Sequence, residues 1–146
     1  MSRPENAVLG VLFTSSLQAT AGWVVAGSGH WIYEGTKVRD GDVIAGIVGH
    51  ETDRCSRNPR QPTPEGTEVV ARSPVVDVVR GPETHEAAVH PVSGGGFVFA
   101  AGTIQFVWGL AKDGVADPRV QRMTENVLRR AGLEPANGTT LQRTGR

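Results

Sequence analysis

Apolar positions in this chain come in short runs, each closed by glycine, proline or a polar turn, and this spacing predicts many brief strands and one helix. Ala7 to Thr14 (AVLGVLFT) reads as a first strand, with Gly10 as a bulge inside it. Trp23 to Ala26 is a second run closed by Gly27-Ser28-Gly29, and Val43, Ile44, Ile47 and Val48 make another across Gly46. Glu68 to Arg72 and Val75 to Arg80 are β runs joined at a Ser73-Pro74 edge or kink. Thr84 to Val92 and Phe97 to Thr103 flank the turn Ser93 to Gly96 and predict an antiparallel hairpin, the second strand apolar enough to be buried on both faces.

The period then changes. Asp117 as N-cap, Pro118 at the first helical position and Arg129, Arg130 and Gly132 at the far end predict a helix over Pro118 to Ala131. Val120, Met123, Val127, Leu128 and Ala131 fall on its apolar face, which is expected to cover the Phe97 to Thr103 strand. Ile104 to Leu110 either extends that strand or forms a short helical turn. Glu51 to Gly66, with prolines at 59, 62 and 64, reads as an exposed, mobile loop. Residues 1–132 are thus expected to form a single β-rich domain, between α/β and α+β in class, with one C-terminal amphipathic helix and a disordered tail over 133–146.

Composition narrows the function. The chain has 146 residues, 38% hydrophobic and 21% charged, ordinary for one globular domain. Lysine plus arginine number 15 and aspartate plus glutamate 15, so no net field favours nucleic acid or an anionic membrane. With one cysteine, no apolar run of membrane-spanning length and no secretory h-region, a cytoplasmic location is expected, with neither nucleic acid nor membrane as partner.

Candidate chemistry is sparse. No GxSxG nucleophile elbow occurs, and the glycines of GSGH are followed by Trp31, Ile32 and Tyr33 rather than a helix start, so they do not form a phosphate loop. His30 to Glu34 (HWIYE) reads as a hydrophobic plug with polar edges or as a binding surface. Cys55, between Arg54 and Arg57, is either a thiol activated by positive charge or a lone exposed one. His85 and His90 are five apart and point to opposite faces of a strand, so they do not share an ion. His50, Glu51 and Asp53 are a candidate cation cluster, with Glu51 and Asp53 on one strand face, or a solvated strand end with an ion pair.

Arg3-Pro4-Glu5-Asn6-Ala7, then Gly49-His50-Glu51-Thr52-Asp53, then VFAAGTIQFVWGL from Val98, then DPRVQRMTENVL from Asp117 occur in an order that resembles the C-terminal domain of the N,N-dimethylformamidase large (beta) subunit family. That family more often has GYEWD where this chain has GHETD. The resemblance implies a glutamine-amidotransferase-like sheet with a β-rich insertion, of which this chain corresponds to the later part only. It also implies amide hydrolysis at an iron held by two tyrosines and one glutamate, the metal acting as a Lewis acid that lowers the pKa of bound water. No HDEYW motif expected of the earlier part is present, and Tyr33 lies in a different motif; Glu5 is the candidate match for the glutamate, or else a cap or a partner for Arg3. Two functions follow: the C-terminal portion of an N,N-dimethylformamidase-like amide hydrolase, not catalytic alone, or a non-catalytic β-rich accessory or interaction module. Either way the expected partner is the missing half of the domain or a second copy, because an uncovered apolar strand drives association.

Overall fold

A computed structural model describes residues 4–133; the expected tail lies, but for Leu133, outside them. The chain starts with a single helical turn, α1 (Asn6–Leu9), not a strand. Gly10, at φ 80°, closes that turn as a left-handed C-cap, so the glycine read as a bulge is a helix stop. What holds α1 is distant: Asn6 Nδ2 donates to the carbonyls of Gln61 (3.0 Å) and Pro62 (2.9 Å). The first strand therefore begins later, as β1 (Leu12–Ser16). It pairs antiparallel with β4 (Glu51–Arg54), so Glu51 and Asp53 do lie in a strand and the proline-rich loop begins only after Arg54.

β2 (Ala21–Val24) pairs with β3 (Val43–Val48), and β5 (Glu68–Asp77), β6 (Gly81–Pro91) and β7 (Phe97–Ala100) form a three-stranded meander. Every pairing is antiparallel. β5 runs unbroken through Pro74, and its irregularity falls instead between Val69 and Ala71. Single bridges stitch the sheets together: Val25 to Ala71, Leu17 to Asp77, and Thr52 to Thr103. The fold is thus β-rich α+β with a closing helix.

Ile104 to Leu110 turns out helical, a 3-10 turn (Ile104–Val107) followed by α2 (Trp108–Ala111). The closing helix α3 spans Pro118–Arg130, and the Asp117 carboxylate accepts from the Arg119 amide as the cap spacing predicts. Its Val120 lies so close under Gly109 that a Cβ there would meet the valine methyls at 2.8 Å, which fixes how α2 rides on α3.

The helix does not lie down on β7. It packs on the 3-10 turn Trp31–Tyr33, where Asn126 Nδ2 donates to the carbonyls of Ile32 and Glu34, both at 2.9 Å. The HWIYE segment is accordingly a plug: Ile32 and Tyr33 join Trp23, Ile44, Ile47, Val70, Phe106, Val120 and Met123 in the core. β7, expected to be buried on both faces, is only half-buried throughout, since β6 covers one edge and a hollow separates it from the end of α3. Leu128, assigned to the inner face, is 46% exposed. Among the described residues no helix is long and apolar enough to cross a membrane.

Candidate functional site

Three carboxylates converge on one open hollow of about 400 Å³. Glu5 arrives from the start of α1, Glu51 and Asp53 from the same face of β4, and the floor is apolar, made by Leu9, Phe13 and the chain from Phe99 to Ile104. The register that creates it pairs Phe13 with Asp53, and the Asp53 amide donates to the Gly102 carbonyl (2.8 Å), drawing β4 against the segment that follows β7. The Phe13 amide reaches toward Glu5 at 3.5 Å. Burial holds the Asp53 carboxyl above its ordinary pKa, and the negative fields of Glu5 and Glu51 push it the same way.

The sequence placed Glu5 and the His50, Glu51, Asp53 group apart; the fold joins Glu5 to Glu51 and Asp53 and separates His50 from them. His50 sits before β4 in a left-handed conformation (φ 62°), and its ring meets Trp108 edge-on at 5.6 Å, while Lys112 Nζ lies 2.9 Å from the centre of the same Trp108 ring. No set of three or more His, Cys, Asp or Glu side chains is arranged to hold a metal ion among the described residues. The convergence of Glu5 with β4 has no local signal, because it depends on a long-range pairing.

The remaining reactive groups are committed to structure. The Tyr33 hydroxyl donates to the Val70 carbonyl and accepts from Trp23 Nε1 (3.0 Å), and burial pushes its pKa well above the ordinary phenol value. His85 and Ser73 lie 3.3 Å apart in the core, but His85 Nε2 is bound to the Ala101 carbonyl (2.9 Å) and the Ser73 oxygen accepts from the Val24 amide. Both are fully buried, so the pair braces strands rather than serving as nucleophile and base. Burial lowers the His85 pKa to about 4.

His90, on the same strand, faces the carbonyls of Val8 and Pro91, hydrogen-bond partners different from those of His85. Cys55 is neither activated nor freely exposed. It is half-buried beside Glu86, and burial followed by that carboxylate's charge pushes the thiol up to about 11.

The sequence model of a family described as N,N-dimethylformamidase beta subunit-like, C-terminal, matches residues 1–121. No curated protein matches the chain.

Proposed function

Since the chain belongs to the N,N-dimethylformamidase beta subunit-like, C-terminal family, we propose that it is the C-terminal portion of an amide hydrolase whose catalytic centre is completed by another polypeptide segment. The observation that carries this reading is the family match over residues 1–121, and the state of Tyr33 is why the centre needs a further segment. An iron held by two tyrosines and a glutamate does not fit the residues here, because the one tyrosine of the chain is in the core with its oxygen engaged by Val70 and Trp23. The carboxylates of Glu5, Glu51 and Asp53 are what this chain can bring to a shared site: hydrogen-bond acceptors and negative charge on an apolar floor. Burial and the neighbouring negative charges favour the protonated form of Asp53 more than an exposed carboxylate would, so it is a candidate to hold a proton at a shared site.

The same buried phenol favours a second reading, a non-catalytic accessory module that keeps the fold without the chemistry. Small-amide hydrolysis separates the two. The purified chain is assayed on N,N-dimethylformamide by release of dimethylamine, alone and after co-expression with a complementing segment carrying an HDEYW motif. The expected result is no turnover alone, turnover in the complex, and a loss of about tenfold or more with Glu5→Gln. Turnover by the chain alone would refute its incompleteness; a stable but inactive complex would favour the accessory module.

A further inference from the structure

β7 is the outer strand of its sheet, hydrogen-bonded to β6 and to no other strand along Phe97–Ala100. The Val92 amide donates to the Gly96 carbonyl, and His90 stands opposite Val98. By the alternation of an antiparallel ladder, the N–H and C=O groups of Phe97 and Phe99 then point away from β6. Among the described residues nothing hydrogen-bonds to them.

The two ends of this edge differ in charge. At the Gly94 end, a hollow between the glycine turn and the end of α3 is lined by Phe97, Phe99, Val127 and Arg130. The exposed Arg130 guanidinium lies 5.3 Å from the Trp31 ring centre and is in no ion pair among the described residues. Gly94 and Gly95 have open space where a Cβ would stand, so another backbone can approach. Glu68 also borders this end, but its side chain is 70% exposed and its charge is screened by solvent. At the other end, Phe99 and Ala100 run into the hollow that carries Glu5, Glu51 and Asp53.

We infer that β7 is a docking edge for an extended peptide segment of a partner protein, added as an antiparallel strand, with a basic residue over the Glu5, Glu51 and Asp53 hollow and an acidic group beside Arg130. Antiparallel addition makes the partner's basic residue N-terminal to its acidic one, about four residues apart, since four strand residues span about 13 Å. Backbone hydrogen bonds to Phe97 and Phe99 supply affinity, and the opposed end charges fix direction. This rests on the reading of the chain as incomplete by itself and gives the chemistry of what it meets.

Fluorescence anisotropy of the full chain with two labelled peptides of one composition, Lys-Val-Thr-Val-Glu and Glu-Val-Thr-Val-Lys, tests it. The first is expected to bind at least about fivefold tighter, with the preference weakened by salt and reversed by Arg130→Glu. N-methylation of the amides that face β7 is expected to abolish binding, while methylation of the alternate amides leaves it.

Equal binding of the two peptides, indifference to the methylation pattern, or no saturation at millimolar peptide would overturn the proposal. So would sedimentation showing that a second copy occupies the edge, as a dimer that Arg130→Glu dissociates. The readout is binding alone, so its failure leaves the amide-hydrolysis assay standing, and failure of that assay leaves this one intact.

Discussion

His85 shows how far one buried side chain ties stability to pH. Its ring is sealed between Ser73 Oγ and the Ala101 carbonyl and stays neutral because burial lowers its pKa to about 4. The unfolded chain, with an ordinary histidine pKa near 6.5, binds more protons between these two values. Stability from this residue is therefore fully present above about pH 6.5 and is lost as pH falls toward 4. Urea unfolding at pH 7.0 and 4.5 is expected to show the wild type losing on the order of 2 kcal/mol more than His85→Gln. Equal losses would mean that the ring is reached by water in the folded state.

At the scale of elements, α3 separates what its own pattern encodes from what packing adds. Asp117, Pro118 and the terminal arginines mark its ends, and the helix ends one residue from the position they predict. Its period alone does not say how wide the buried stripe is. Met123 is fully buried among Ile32, Phe106 and Val120, whereas Leu128, on the margin of the stripe, looks outward. Met123→Ala is expected to cost about 2–4 kcal/mol and Leu128→Ala less than about 1 kcal/mol in chemical denaturation. Comparable losses would place α3 in a different rotation about its axis.

On the scale of the whole molecule, the proline-rich segment after β4 is tethered, although its composition suggests a free loop. Asn6 donates to Gln61 and Pro62, the Cys55 amide donates to Glu86 (3.1 Å), and the Thr63 hydroxyl donates to the Ser56 carbonyl. Trypsin is expected to cut first at Arg57 or Arg60, both exposed and outside any strand, and not at Arg54, which lies in β4 and pairs with Glu83 at 3.4 Å. Asn6→Ala removes the tie to α1 and is expected to speed that cleavage severalfold while cutting at Arg72 and Arg80 stays slow. First cleavage at Arg54 would show that β4 opens before the loop does.

The same long-range ties mark the boundary between what the sequence settled and what it left to the fold. Helix caps, the β6–β7 hairpin, the plug at Trp31 to Tyr33 and the family resemblance were all legible, because each depends on neighbours a few positions apart or on motif order. The helical start at Asn6, the pairing of the Glu51 strand with β1 and the grouping of Glu5 with Glu51 and Asp53 were not. They arise from partners such as Thr14 and Thr52, which bond across 38 positions, and from Asn6 capturing the carbonyls of Gln61 and Pro62. A short apolar run has no preference strong enough to choose between helix and strand by itself, so the pairing edge available to it in three dimensions decides. The sequence by itself determined a β-rich domain with a closing helix and its family; only the tertiary structure decided that β7 stays open along one side and that His50 stands apart from the carboxylates it adjoins in the chain.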